Sequence, residues 1–392
     1  MNDSAWIIDT DIHPYIDPQR VADFLPQPWR RRVQSGNAGP GHLGYWNPNG
    51  VRRSDVFAPD DSPEKGKRVD ADAATMVKHH LDRFALSHGI LNADLINVGL
   101  SPETDFACAF MSGVNEAIVT DWFTVSPRIL ASIHITPTDP QHAAAEIRRW
   151  AAHPQFVQVL MPSGSRTAYG SRLYHPIYAA AEECGLPVAI HPGTEGLGVS
   201  GVPTAAGYPS NYLEWHTGLV GSYLAHLISL ISEGVFVKFP KLKFVMIEGG
   251  VSWLVPLLWR FDKNWKALRQ LSPWLIHPPS HYAYEHILLT TQPIEEPENP
   301  QQLQTLLAMM PIEKMLMFSS DYPHWDGDTP DFVGRHIPAA HRQQVLRDTA
   351  WALYRLDERT KNTNPHHASK SIQNLKSKIQ NPYVPLSNHE LE

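Results

Sequence analysis

The sequence predicts an α/β fold, a (β/α)8 TIM barrel, and three features carry that prediction. Eight short apolar runs recur along the chain, longer amphipathic stretches separate them, and acidic and imidazole side chains stand at the ends of several runs. Continuous apolar runs separated by helices read as buried parallel strands. Eight of them suit a closed barrel better than an open doubly wound sheet.

The runs come in order. The first, 6–12 (WIIDTDI), ends at His13. The second, 89–98, follows a helical stretch over 73–86, and the third, 128–135, follows one over 105–120. The fourth, 156–161, comes after a helix over 142–152. The fifth, 187–190, comes after one over 174–184 whose Gly185 suits a C-cap. A long helix over 212–231 precedes the sixth run, 244–247. The seventh is 286–291, and the eighth, 315–319, follows a helix over 301–310.

A barrel needs about 250 residues, whereas the chain has 392. The surplus is assigned to an insertion at 14–70, a Gly-rich loop over 192–210 and a polar tail over 359–392, leaving one barrel domain over 1–358. A loop of that length usually binds or covers something. The tail has few large apolar residues and is expected to be poorly ordered.

Composition removes several classes. The net charge is −7 and the longest basic cluster is Arg30-Arg31-Arg32, read as a solvated loop, so nucleic acid is not an expected partner. No apolar run approaches the roughly 20 residues needed to span a bilayer. Cys108 and Cys184 form neither a disulfide framework nor a zinc knuckle. With no secretory signal pattern at the N-terminus, the chain reads as soluble and cytoplasmic.

In a barrel, side chains at the C-terminal ends of the strands face the active-site mouth. The first run ends in Asp11-Ile12-His13, and strand alternation puts Asp11 and His13 on one face. The fifth ends in His191-Pro192-Gly193, the sixth in Glu248-Gly249-Gly250 and the eighth in Ser320-Asp321-Tyr322-Pro323-His324. Runs two, three and four end mostly in neutral residues. A lone Asp-x-His is ordinarily a turn or a surface pair; the convergence of four strand ends carries the reading. Asp11, His13, His191 and Asp321 make a shell for one divalent metal ion with a position left open for water or substrate. Mixed nitrogen and oxygen donors suit zinc, and the oxygen share admits manganese.

Four stretches, DTDIHP, AIHPG, IEGGVSWLVPLLWRFDKNW and FSSDYPHWDGD, resemble the amidohydrolase-related proteins. The likeness is to the branch that holds aminocarboxymuconate semialdehyde decarboxylase and related aromatic-acid decarboxylases and hydrolases. It implies a single metal, usually zinc, on the same four residues, and a homodimer. One departure stands out: family decarboxylases carry a His where this chain has Glu248. Lesser candidates are His216, at the start of the helix before the sixth run, His324 as an orienting or substrate-binding group, and His175 as a substrate contact. Trp253, Trp259 and Trp265 recur at near-helical spacing and read as packing.

The leading expectation is a metal-dependent hydrolase of a small amide, lactone or C–C substrate. In it Asp321 takes a proton from metal-activated water, assisted by Glu248 and His216. The alternative is a non-oxidative decarboxylase of an aromatic or enol acid. A barrel that only binds is the remaining reading.

Overall fold

The computed structural model describes residues 6–36 and 68–360. Eight parallel strands pair in sequence order: β1 (Ile7–Ile12), β2 (Leu86–Leu91), β3 (Ile129–His134), β4 (Phe156–Pro162), β5 (Val188–His191), β6 (Phe244–Met246), β7 (Ile287–Thr290) and β8 (Leu316–Met317). Hydrogen bonds from Thr10 N–H to the Phe318 carbonyl (3.0 Å) and from His13 N–H to the Tyr322 carbonyl (2.7 Å) bring the eighth segment back to the first. The fold is the expected barrel.

The strands are buried on both faces, as their apolar composition requires. Outside, their side chains pack against helices such as Thr104–Ala117, Pro140–Trp150, His175–Cys184 and Val220–Ser232 in one large core. Inside, Ile8, Ile90, Leu130, Val157, Ala189, Val245, Leu288 and Met317, one from each strand, form a second cluster. Tyr354 and Leu356 join that cluster, and Arg359 reaches the Phe156 carbonyl at the start of β4. The chain after β8 therefore closes the N-terminal end of the barrel.

Two residues further along the same strands the interior turns polar. Ala189 is followed by His191, Leu130 by Ser132 and His134, Ile90 by Asn92, and Leu288 by Thr290, all buried. Period-two alternation puts each pair on the inner face. An apolar layer thus supports a polar layer, and the polar layer opens at the C-terminal mouth.

Several boundaries differ from the expectation. β2 begins at Leu86 and stops at Leu91, and the second half of the apolar run becomes the 3₁₀ segment Asp94–Leu100. The reason lies at Asn92, whose amide donates to Asp11 Oδ1 and to the Thr10 carbonyl and ends the ladder there. The long helix before β6 is two, Tyr212–Gly218 and Val220–Ser232. Arg30, Arg31 and Arg32 lie in the helix Trp29–Gln34, not in a loop, and Arg32 pairs with Glu103. Trp253 and Trp265 pack against the core, whereas Trp259 is exposed. Of the expected insertion, residues 37–67 lie outside the described part, as does the tail beyond 360. Among the described residues, no helix is long and apolar enough to cross a membrane.

Candidate metal centre

Asp11 and His13 leave the end of β1, His191 ends β5, Glu248 follows β6 and Asp321 follows β8. One ligand atom from each of these five lies within 4.8 Å of all the others. His13 Nε2 stands 2.8 Å from Asp321 Oδ1 and 3.4 Å from Asp11 Oδ1. His191 Nε2 stands 3.5 Å from Asp11 Oδ2 and 3.2 Å from Glu248 Oε2. The four residues expected as ligands are brought together, and Glu248 joins them.

Local structure explains how they aim. Glu248 and Asp321 both hold left-handed backbone, with φ of +58° and +57°. For residues with a Cβ that conformation costs about 1–2 kcal/mol each, and it persists where neighbours fix it. The Glu248 N–H donates to Thr290 Oγ1 at 3.0 Å, and the Asp321 N–H to the Asp11 carbonyl at 3.2 Å. Beneath them, Asp9 accepts from Ser320 N–H (2.9 Å) and Ser320 Oγ (2.5 Å), and its Oδ2 lies 2.6 Å from His80 Nε2. This buried brace ties β1 to the segment carrying Asp321.

The donor set fits a cation on an observation of its own. Asp11 Oδ2, His13 Nε2, His191 Nε2 and both Asp321 oxygens are buried, face one another, and make no hydrogen bond of ordinary angle. Orphaned polar atoms cost free energy unless something satisfies them. His191 Nδ1 lies 3.0 Å from the Pro192 carbonyl, so it carries the proton and Nε2 turns its lone pair inward. His13 Nδ1 lies 2.8 Å from Asp94 Oδ1, an ion-pair contact on the side of the ring away from the cluster.

Without an ion the cluster balances itself with protons. Burial works against the charge on Asp11, yet His13 and His191 outweigh it and hold that carboxyl well below the usual carboxylate range. Burial also opposes protonation of His13 and His191, but Asp11 dominates: His13 is raised well above its ordinary value and His191 up to about 9. Asp321 goes the other way, pushed up to about 6 by burial. A divalent cation would replace these imidazole protons as the partner of the carboxylates.

Behind Asp11 runs a chain of neutral hydrogen bonds. Tyr354 OH donates to Gln158 Oε1 (2.9 Å), Gln158 Nε2 to Ser132 Oγ (2.8 Å) and Ser132 Oγ to Asn92 Oδ1 (2.6 Å). Asn92 Nδ2 then donates to Asp11 Oδ1 at 2.8 Å. Every donor points toward the cluster, and every member is buried.

The lesser candidates separate. His324 reaches the centre: its ring stacks on His13 at 4.2 Å between centroids, and its Nδ1 lies 2.5 Å from Asp321 Oδ1. His216 lies at the rim, 3.7 Å from Glu248 Oε1 and 3.5 Å from Asp326 Oδ2. His175 is placed elsewhere. It opens the helix His175–Cys184, with Nδ1 2.9 Å from Lys238 Nζ and its ring edge-on to Phe239. The chain after β4 carries it off, because Gly170 packs against the Ser229 backbone and Tyr169 stacks on His226. The second and third strand ends are also less neutral in effect than expected. Asn92, Asp94 and His134 support the site, His134 Nε2 accepting from the Ala93 N–H at 2.9 Å. Asp326, five residues after Asp321 in DYPHWDGD, is a further carboxylate that the motif displayed.

Comparison with known proteins agrees with this fold. A family profile described as amidohydrolase matches residues 8–356. The chain belongs to the amidohydrolase family. No curated protein matches it. Among solved structures, an amidohydrolase from Mycobacterium avium subsp. paratuberculosis K-10 is similar over 90% of this chain and 100% of its own, at 20% identity and a TM-score of 0.68. The 5-carboxyvanillate decarboxylase of Novosphingobium aromaticivorans DSM 12444, complexed with manganese and 4-hydroxy-3-methoxy-5-nitrobenzoic acid, covers 90% and 97% at 18% identity, with a TM-score of 0.64. A dihydroxybenzoic acid decarboxylase from Polaromonas sp. JS666, with manganese and 2-nitroresorcinol, covers 90% and 98% at 17% identity, with a TM-score of 0.62. At these identities the likeness shows the shared fold. The family resemblance read from the four motifs stands.

Proposed function

We propose that this amidohydrolase-family protein is a metal-dependent, non-oxidative decarboxylase of an aromatic or enol carboxylic acid bearing an oxygen beside the carboxylate. Two of the similar structures named above are decarboxylases of hydroxylated aromatic acids, which favours this reading over the expected hydrolase. The observation that carries it is the orphaned donor set with a proton-holding carboxyl, Asp321, at its edge.

Asp11, His13, His191 and Asp321 would hold the ion, with manganese and zinc both suited to their mixed donors. When bound, it would anchor the substrate carboxylate and the neighbouring oxygen and draw electron density from the ring. Asp321 is the proton carrier. Burial pushes its carboxyl up to about 6 in the ion-free protein. A bound cation would lower it, so the proton passed to the carbon bearing the carboxylate would be one held between Asp321 and His324. His324, 2.5 Å away, steadies that proton and receives charge. As the C–H bond forms, the C–C bond breaks, its electron pair restores the ring, and carbon dioxide leaves. The hydrolase remains the second reading because Glu248 puts a carboxylate where family decarboxylases carry an imidazole, and a carboxylate suits activation of water.

The test incubates full-length protein loaded with manganese or zinc with hydroxybenzoates and enol acids, and separately with anilides and lactones. Carbon dioxide release is expected, with one deuterium entering the product ring in heavy water. Asp321→Asn should lower turnover by about 10²–10⁴. Turnover of amides or lactones without carbon dioxide would replace the decarboxylase with the hydrolase, and an unchanged Asp321→Asn would remove the proton carrier.

A further inference from the structure

We propose that Glu248, His216 and Asp326 form a second divalent-cation site, adjoining the first and joined to it by the Glu248 carboxylate. The proposal rests on the first site holding a metal, as argued above.

The geometry begins with Glu248. Its two oxygens face different partners: Oε2 lies 3.2 Å from His191 Nε2, in the first cluster, and Oε1 lies 3.7 Å from His216 Nε2. Asp326 Oδ2 lies 3.5 Å from the same His216 nitrogen. One ligand atom from each of His216, Glu248 and Asp326 lies within 4.8 Å of the other two. Separations of 3.5–3.7 Å are too long for strong hydrogen bonds. They match ligands that share an ion, since two donors each about 2.1 Å from a tetrahedral zinc stand about 3.4 Å apart. A carboxylate whose oxygens divide between two such groups is a natural bridge for ions about 3.5–4 Å apart.

Charge supplies a second argument. Asp11, Glu248, Asp321 and Asp326 converge on the mouth, and among the described residues no lysine or arginine forms an ion pair with any of them. One divalent ion balances two of these carboxylates. A second, held by His216, would stand between the other two in place of an imidazole proton.

The ligands are also held in place by their neighbours. Tyr212 stacks on His216 with centroids 5.2 Å apart, and its hydroxyl lies 3.2 Å from Trp325 Nε1, fixing the residue just before Asp326. His216 sits on the helix Tyr212–Gly218, whose N-cap Asn211 accepts from the Glu214 N–H. His216 is 21% exposed and Asp326 14%, which leaves a route for an ion from solvent. The Gly-rich loop after β5 therefore ends by delivering an imidazole to the rim of the first site.

The experiment saturates full-length wild type, His216→Ala, Asp326→Asn and His191→Ala with manganese(II) alone and zinc(II) alone. Tightly held metal is counted by mass spectrometry after equilibrium dialysis, and paramagnetic resonance is recorded on the manganese forms. Two equivalents and an exchange-coupled manganese signal are expected in wild type. His216→Ala and Asp326→Asn should each hold one equivalent with an uncoupled signal. One equivalent in saturated wild type would overturn the second site and leave the proposed function standing; none would overturn both. Two coupled equivalents persisting in both rim variants would overturn the assignment to these residues. Wild-type stoichiometry and coupling decide the matter even if a variant fails to fold.

Discussion

The two ends of the barrel interior are built on the same strands and obey opposite rules. Near the N-terminal end, Leu130, Ala189 and Val245 sit in a buried cluster with no polar atom among their side chains, closed by Tyr354 and Leu356. Two residues along each of β3 and β5, Ser132 and His191 face the same interior. There carboxylates and imidazoles crowd together, and Glu248 and Asp321 hold left-handed backbone. One end contributes burial; the other gives up stability to hold a cluster of groups that could share an ion. Folding free energy and the candidate metal centre are thus separated along the barrel axis by one strand repeat.

The sharpest way to break this comparison is a pair of substitutions, one at each end. His191→Ala should remove the metal and reduce turnover to background. Above about pH 9, where the imidazole's own contribution to the ion-free protein has faded, the melting temperature of that ion-free protein should move little. Leu130→Ala, at the apolar end, should cost about 2–5 kcal/mol of stability and leave turnover per folded molecule unchanged below the transition. Denaturant titration and metal analysis on both variants read the outcome. If Leu130→Ala lost metal, or His191→Ala unfolded the apo-protein, the division along the axis would be wrong.

Much of this division was legible in the sequence, and the missing part has a physical cause. Asp11, His13 and His191 sit at or just beyond strand ends, where alternation and parallel pairing dictate where a side chain points. Glu248 and Asp321 instead follow β6 and β8 on left-handed backbone, and were visible only as the acidic residues closing those apolar runs. Asp94 and Asp326 lie beyond the strands, on a 3₁₀ segment and a tight turn whose paths depend on contacts distant in sequence. His175 failed for the same reason, since Tyr169 packing on His226 turns the chain after β4 away from the mouth. Boundaries slipped at β2 because an Asn side chain, and no Pro or Gly, ends that ladder. The rim carboxylate Asp326 was visible in its motif but carried no strand to place it.

A second contrast lies in the histidines, and pH sharpens it. His134 and His226 are buried and neutral, each held down to about 4 by burial. The unfolded chain binds their protons below about 6.5 and the folded protein does not, so stability falls as pH drops from 6.5 toward 4. A displacement of this size corresponds to up to about 3 kcal/mol for each. His191 has the opposite sign. Burial opposes its charge, but Asp11 and Glu248 raise it to about 9 in the ion-free protein, so its contribution is complete below 6.5 and lost as pH rises through 9. Metal competes with that proton, so the rise in melting temperature on adding manganese should be largest at about pH 8–9 and nearly vanish at about pH 5. Calorimetry across that range checks it, and a pH-independent gain would show that the imidazoles are not ligands.

The hydrogen-bond chain from Tyr354 to Asp11 crosses from one end of the barrel to the other, and its two termini should respond differently. Asn92 donates directly to Asp11, one of the proposed ligands, so Asn92→Ala should weaken metal binding by about 10–100-fold, the usual range for groups that orient a ligand. Tyr354→Phe removes only the far hydroxyl and leaves Gln158 Oε1 buried without its donor, at a cost of about 1–3 kcal/mol. Its effect on metal affinity should be the smallest of the set, within about twofold, because two side chains and an amide separate it from Asp11 and neutral hydrogen-bond chains polarise one another only by tens of per cent. Isothermal titration with manganese, alongside urea unfolding, separates the two quantities. Equal losses of metal affinity at Asn92 and Tyr354 would mean that the chain moves as one rigid unit, and that the apolar end of the barrel sets the geometry of the metal centre after all.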